Sequence, residues 1–343
     1  MNTSRKLRWG ILGTAQIALN RLVPAMRESE LNEAAAIASR DEAKAKEAAE
    51  KLGIPSAYGS YDELLADETI DAVYVPLPNH LHKKWAIRAA EAGKHVLCEK
   101  PLTLTEREAR EIAEACGRSG VHLAEAFMYR HHPRYEQIRE RIAGGEIGEV
   151  RTMHLTFRYN MEDWMSRDNI RLRREYGGGA LYDVGCYCIN AARMLLGKEP
   201  IAVTYQAVRS PEHDHVDVMG TGLLEFPGGV AVTFSCGMIA YSSNTIHIVG
   251  SKGTIEVPVA FLHIPVLSPN FQVTKGGPGG PPMERREVVV PDVNPYAAQV
   301  DDFARAVLLG EPAKFGPSDA IGNMRVIDAC LRSEYEGKRI ILQ

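Results

Sequence analysis

The chain has 343 residues, 45% of them hydrophobic and 24% charged, with a formal net charge of -4. That balance is the globular average, so it excludes a disordered, collagenous or coiled-coil chain and offers no basic surface to nucleic acid or an anionic membrane. No apolar run reaches the roughly 18–20 residues of a membrane span, and the six cysteines form no C-x-x-C pair, which reads as buried small hydrophobes in a reducing compartment.

The apolar run behind Arg5, Lys6 and Arg8 is broken by Gly10, Gly13 and Gln16, unlike a signal-peptide core, and the expected location is the cytoplasm. Through residue 125, short apolar runs then alternate with segments of helical periodicity. Strands are predicted at Leu7–Leu12, Ala34–Ala38, Ala72–Val75, His95–Cys98 and Val121–Ala124. Helices are predicted at Gln16–Arg27, Asp41–Leu52, His82–Ala92 and Thr105–Arg118, with Gly53, Gly93 and Gly120 as stops. Alternation of this kind means parallel βαβ units with right-handed crossovers and helices on both faces. From about residue 150 strands follow one another: Val150–Tyr159, Ile201–Val208, Val216–Phe226, Val230–Ser235, Thr245–Val249, Thr254–Val257 and Glu287–Val290. Short connections imply an antiparallel sheet with one face packed on helices. The glycine- and proline-rich stretch Gly276–Pro282 reads as a surface loop, and helices return at Tyr296–Leu309 and Ser318–Tyr335. The expected class is α/β: a doubly wound parallel nucleotide-binding domain over 1–125, then an α+β domain over 126–343 for substrate and self-association, whose last helices can pack back on the first.

The first strand runs into Gly13-Thr14-Ala15-Gln16-Ile17-Ala18, a dinucleotide fingerprint with only its first glycine kept. Gly13 permits a tight turn, Ala15 a close backbone approach to a pyrophosphate, and Ala18 close helix–strand packing. The helix start offers N–H groups and partial positive charge to phosphates. The second strand ends Ala38-Ser39-Arg40, without the acid that would bind a ribose 2′-hydroxyl. Arg40 and Lys44 suit a 2′-phosphate, with Ser39 as a further donor, so NADP(H) is expected and NAD(H) is the alternative.

Ligands of doubly wound sheets sit outside the carboxyl ends of strands. There lie Leu77-Pro78-Asn79-His80-Leu81-His82, stiffened by Pro76 and Pro78, and Cys98-Glu99-Lys100-Pro101. Asn79 approaches the cofactor in this reading and His82 opens the next helix, where an ordinary helix-start histidine is the plainer explanation. Pro101 biases Lys100 toward extended geometry, and its ammonium can polarise a substrate hydroxyl. In the second domain Gly177-Gly178-Gly179 precedes an apolar helix in which Asp183 and Tyr187, four apart, share a face. The glycines permit close approach of another backbone. A carboxylate, a phenol and the Lys100 ammonium would converge on one hydroxyl, the ammonium lowering a phenol pKa that is ordinarily about 10. His131-His132 and His213-Asp214-His215 lack a third ligand, so no metal is expected.

Together, Gly13–Ala18, Pro78–His82 and Glu99-Lys100-Pro101 resemble the glucose–fructose oxidoreductase / inositol dehydrogenase family over nearly the whole chain. The resemblance implies a Rossmann domain followed by a large, open, mostly antiparallel sheet. It implies nicotinamide-dependent oxidation or reduction of a sugar, cyclitol or related diol, with Lys100 as the catalytic lysine. The family pattern is Asp followed four residues later by His, with Tyr in one subgroup. With Asp183 and Tyr187 the chain resembles that subgroup, which includes glucose–fructose oxidoreductase, dimeric dihydrodiol dehydrogenase and NADP-linked D-xylose dehydrogenase. The resemblance also implies cofactor contacts from Ala126, from Tyr296 and from Arg171, where Ile170 replaces a frequent Trp. In this reading Tyr187 exchanges the hydroxyl proton, Lys100 tunes it and holds the oxygen, and Asp183 orients the substrate. The alternatives are a nicotinamide-binding sensor without turnover and an enzyme that retains and recycles its nicotinamide. An apolar sheet face left uncovered by helices, with Val216, Val218, Val230, Val232, Phe234 and Ile246 as candidates for packing, is expected to build a homodimer or homotetramer.

Overall fold

The computed structural model describes residues 5–342 except 164, 167, 263, 265–266 and 277–281. The chain divides into two compact units. One runs to His131 and takes in Asn294–Met324; the other comprises His132–Val293 and Arg325–Gln343.

In the first unit β1 (Leu7–Leu12) leads through a helical turn at Ala18–Leu22 into α1 (Val23–Met26). There follow β2 (Asn32–Ala38), α2 (Glu42–Leu52), β3 (Ser56–Tyr58), α3 (Tyr61–Ala66), β4 (Ala72–Val75), α4 (Asn79–Glu91), β5 (His95–Cys98), α5 (Glu106–Ser119) and β6 (Leu123–Glu125). The strands are parallel in the order β3-β2-β1-β4-β5-β6. The order reverses between β1 and β4, and the crevice at their carboxyl ends is the switch point where such sheets bind ligands. Helix ends follow local chemistry. Asp41 Oδ1 accepts the Ala43 and Lys44 N–H groups at the start of α2, and Thr105 Oγ1 accepts that of Glu108 at the start of α5. Gly53 and Gly120 close them at φ 55° and 67°. The predicted bounds of β1, β4 and β5 are the observed ones. The sequence reading missed β3 and α3, which are too short for periodicity to register.

In the second unit come α6 (Pro133–Ala143), β7 (Val150–Asn160), α7 (Cys186–Leu196), β8 (Ala202–Arg209), β9 (Asp217–Phe226), β10 (Val230–Gly237), β11 (Ile239–Gly250), β12 (Gly253–Val257), β13 (Phe271–Gly276) and β14 (Pro282–Val288). With β15 (Ile340–Ile341) they form a sheet in the order β14-β13-β12-β11-β7-β10-β9-β8-β15. Every neighbouring pair is antiparallel except β7 and β10. α7 packs against β7 and β10. Met153, Leu155, Phe157, Ile246 and Ile248 are buried together with the expected Val216, Val218, Val232 and Phe234; Val230 is half-buried. The expectation of an uncovered apolar face is corrected. Alternate positions carry Thr152, His154, Thr156, Thr233, Ser235, Thr245 and His247, half-buried or exposed, because the period of two sends the apolar set to the opposite face. Of the expected glycine–proline loop, 277–281 lie outside the described residues, while Gly276 ends β13 and Pro282 begins β14.

The chain then enters α8 (Pro295–Leu309), in the first unit, and α9 (Pro317–Glu336). Phe303 of α8 lies 5.1 Å from the Trp9 ring, whose indole N–H donates to Asn32 Oδ1 at 2.7 Å. Both rings belong to the core that also holds Ile11, Ile37, Tyr74 and Leu97. Burying a large apolar side chain of this kind stabilises by roughly 1.5–3 kcal/mol. Among the described residues no helix is long and apolar enough to cross a membrane. All six cysteines are buried free thiols.

Candidate functional site

In the first unit, β1 is followed by Gly13, whose φ of 107° few residues but glycine adopt. A Cβ there would meet Leu77 Cδ2 at 3.1 Å and Tyr61 Oη at 3.5 Å. The Gly13 N–H donates to Ala38 O at 2.8 Å, and the helix begins where the Ala18 and Leu19 N–H groups bond to Ala15 O. Thr14, Ala15 and Ile17 are half-buried and Gln16 is exposed. At the end of β2, Ser39 is buried, with its Oγ accepting the Asp41 N–H at 3.2 Å, while Arg40 is exposed. Asp41, the nearest acid, is turned into its capping role on α2. The exposed Lys44 ammonium stands 3.8 Å from its other oxygen. Burial raises the Tyr61 phenol pKa and the neighbouring Arg40 pulls it back.

Past β4, Leu77 is buried, Pro78 caps α4 and Asn79 is the first residue of that helix. His82 is fully buried, with Nε2 2.7 Å from Leu77 O and Nδ1 3.0 Å from Pro101 O. Burial pushes its pKa down to about 4 against the effect of these carbonyls. Both ring nitrogens are turned to carbonyls, and the ring joins the loops after β4 and β5. Past β5, Lys100 is half-buried and the Lys100–Pro101 peptide is cis. The Tyr74 hydroxyl donates to Glu99 Oε1, and Glu99 Oε2 accepts the Lys100 N–H at 3.3 Å. The Leu102 N–H donates to Glu125 Oε1 at 2.7 Å, and the N–H of buried Ala126 to Cys98 O at 2.8 Å. At the start of α8 the Tyr296 phenol is raised by burial and then by the Glu99 charge.

In the second unit, residues 180–196 wind as one helical stretch, π-helical over Leu181–Gly185 before α7. Asp183 Oδ1 accepts from Arg171 Nε at 2.9 Å and Oδ2 from the Tyr159 hydroxyl at 2.7 Å. The Asp183 carboxylate raises the Arg171 pKa, and Tyr187 also interacts with that guanidinium. Burial, then Asp183, raises the Tyr159 phenol. The Tyr187 ring packs edge-on to Phe157 at 5.2 Å and against Phe261 at 5.7 Å. Arg171, expected at the cofactor, thus has its Nε engaged with Asp183. Tyr159 was missed, since a tyrosine closing an alternating strand carries no local mark of function. The glycine triplet does admit another backbone: a Cβ on Gly178 would lie 2.4 Å from Arg171 O. The Gly179 N–H donates to that same oxygen at 2.9 Å. This contact holds Arg171 beside the helix that carries Asp183.

The histidine pairs have other partners. His131 meets Asp302 at 2.6 Å, His132 Nδ1 accepts the Arg134 N–H, and His213 Nδ1 bonds with Ser210 Oγ. Chemically, a carboxylate braced by a guanidinium and a phenol stays ionised and orients a donor better than it removes a proton. A phenol near a guanidinium gives up its proton more readily.

Residues 7–127 match the family model described as an oxidoreductase family with an NAD-binding Rossmann fold, and residues 135–256 match the GFO/IDH/MocA C-terminal domain. The chain is 39% identical over 339 residues to D-xylose 1-dehydrogenase (NADP(+)) 2 of Haloferax volcanii, covering 98% of this chain and 100% of the relative. It is 34% identical over 279 residues to trans-1,2-dihydrobenzene-1,2-diol dehydrogenase of Bos taurus, covering 79% and 78%. The crystal structure of a 3-ketoreductase from Actinomadura kijaniata in complex with NADP and TDP-benzene matches with a TM-score of 0.89 at 32% identity, over 96% of this chain and 98% of that one. With both domain models matched in order and relatives aligned end to end, the chain belongs to the GFO/IDH/MocA oxidoreductase family.

Proposed function

We propose that the protein is an NADP(H)-dependent oxidoreductase acting on a secondary alcohol or ketone of a sugar, cyclitol or related diol. The observation that carries the reading is the braced Asp183 carboxylate placed four residues ahead of Tyr187. The related D-xylose dehydrogenase, dihydrodiol dehydrogenase and 3-ketoreductase support the substrate class.

A dinucleotide fits the residues of the first unit. Gly13 leaves the turn without a Cβ, and residues 14–17 are open to a pyrophosphate. Arg40 and Ser39 meet a 2′-phosphate, while Asp41, which would repel one, is bound to α2; this favours NADP(H) over NAD(H). Leu77, Pro78, Asn79, Glu99, Ala126 and Tyr296 complete the proposed cofactor lining, with Lys44 at its edge. When bound, the nicotinamide supplies or accepts the hydride. Tyr187 gives or takes the hydroxyl proton, Lys100 holds the substrate oxygen, and Asp183 accepts a hydrogen bond from a neighbouring hydroxyl. Arg171 keeps Asp183 ionised and assists Lys100 in lowering the Tyr187 pKa. Self-association into a homodimer or homotetramer is part of the same proposal; sedimentation as a single 343-residue chain would remove that part.

The test is NADP+ reduction with D-xylose, D-glucose, inositols and trans-dihydrodiols. Turnover is expected with at least one of them. Tyr187→Phe should lower kcat by about 10²- to 10⁴-fold, the range of a lost proton-transfer group, with NADPH affinity unchanged. Near-normal turnover in Tyr187→Phe would take that residue out of the mechanism.

A further inference from the structure

The helical stretch that carries Asp183 and Tyr187 begins against a buried carboxylate from elsewhere in the second unit. Asp217, the first residue of β9, is 3% exposed. Its Oδ2 accepts the Leu181 N–H at 2.7 Å and the Tyr205 hydroxyl at 3.3 Å. The Leu181 N–H is one of the donors a helix start leaves without an internal partner, so Asp217 caps this helix from 36 residues away. A negative charge at that end also suits the helix dipole.

Two glycines make room for the cluster. A Cβ on Gly179 would lie 1.9 Å from Asp217 Oδ1, and one on Gly220 would lie 1.8 Å from Tyr205 Oη. Gly179 also sits at a φ of 112°. The third glycine of the triplet is therefore required by a carboxylate, whereas Gly178 is required by the Arg171 carbonyl. The connection between β8 and β9 supplies a second acceptor: Asp214 Oδ2 takes the Arg174 N–H at 2.7 Å. Asp214 and His215 both hold positive φ, 50° and 54°, which residues with side chains seldom adopt. The two carboxylates fix the ends of the segment 174–181, which links Arg171 to Asp183.

We infer that Asp217 is a positioning residue, which anchors the start of the helix so that Asp183 and Tyr187 stand in register with Arg171 and Tyr159. The inference rests on the catalytic set proposed above. Asp217 acts through the Leu181 N–H and the path of the helix.

The experiment is steady-state turnover and NADPH titration of Asp217→Ala and Asp217→Asn, with the alanine change made also in a Tyr187→Phe background. Asp217→Ala should lower kcat by about tenfold or more, the scale of a buried charge-assisted hydrogen bond, at unchanged NADPH affinity. Asp217→Asn keeps an oxygen acceptor and should restore kcat to within about threefold. In the Tyr187→Phe background the alanine change should cost clearly less than it does alone, because a hydroxyl already removed cannot be misplaced and only the placement of Asp183 is left to lose. An unchanged kcat in Asp217→Ala, or an equal loss in both backgrounds, overturns the inference. Should Asp217→Ala not fold, as judged by urea unfolding, Tyr205→Phe carries the test. It removes one donor to Asp217 at nearly constant volume and should lower kcat by about threefold, and an unchanged kcat overturns the inference. Normal turnover in Tyr187→Phe alone fells the catalytic reading beneath it. A crippled Tyr187→Phe beside an unaffected Asp217→Ala fells only the role of Asp217.

Discussion

A carboxylate that accepts from a guanidinium on one oxygen and a phenol on the other is confined to one rotamer and one charge state. At Asp183 those braces are Arg171 and Tyr159. Tyr159→Phe keeps the ring and removes one brace. It should lower kcat/KM by about tenfold, since hydrogen bonds to charged groups are worth about 1.5–3 kcal/mol, and leave NADPH affinity alone. An unchanged kcat/KM in a competition assay would mean that Arg171 alone fixes Asp183. On the cofactor side, Arg40→Asp places a carboxylate where the ribose substituent is expected. The ratio of kcat/KM for NADP+ over NAD+ should fall by about a hundredfold or more. A ratio that does not move would place the 2′-phosphate elsewhere. That Asp183 and Tyr187 lie on one helical stretch was legible because helical periodicity is a local property of the sequence. Tyr159 and Asp217 were not legible, for each meets its partner across 24 or 36 residues and only tertiary folding brings them together.

The loops after β4 and β5 lie side by side because their strands are parallel neighbours, and His82 ties one to the other. The tie is built from a helix residue and two carbonyls, Leu77 O and Pro101 O. A His82→Leu change would leave those buried carbonyls without the ring. It should cost about 1–3 kcal/mol of stability and weaken NADPH binding, because both loops are proposed to line the cofactor. Urea unfolding and NADPH titration measure the two effects, and a variant that binds NADPH normally would detach the tie from the cofactor. The same contrast between local and tertiary information explains which elements were legible. β1, β4 and β5 are unbroken apolar runs ended by turn residues, and periodicity suffices for them. α6 buries only Arg134, Tyr135 and Ile138, too sparse a stripe to be seen among its charges. β13 precedes the glycine-rich stretch and drew no expectation of its own; only its last residue, Gly276, fell in the expected loop.

Between pH 7 and 4.5 the buried titratable groups His82 and His95 of the first unit and Asp217 of the second should answer acid in opposite directions. In the first, burial holds His82 at about 4, and burial together with His122 holds His95 at about 4, below the roughly 6.5 of an unfolded histidine. Their contribution is present above that value and is lost as pH falls toward 4, because the unfolded chain takes up the protons first. For the fully buried His82 the loss comes to about 3 kcal/mol. In the second unit burial raises Asp217 to about 6, above an unfolded carboxyl near 4. There the folded state binds the proton first, so stability is gained as pH falls through 6 and is withdrawn as pH rises through it. Periodicity alone marks α8 as a helix without saying that its Phe303 meets Trp9. Trp9 and Trp85 are both in the first unit, so fluorescence of a Trp164→Phe variant reports that unit alone. Its urea midpoint should drop between pH 7 and 4.5, while hydrogen exchange in β9 and β10 of the second unit slows or holds. A tryptophan midpoint that stays level over this range would mean that His82 and His95 are charged in the native state, and the tie between the two cofactor loops would then be an imidazolium donating to both carbonyls.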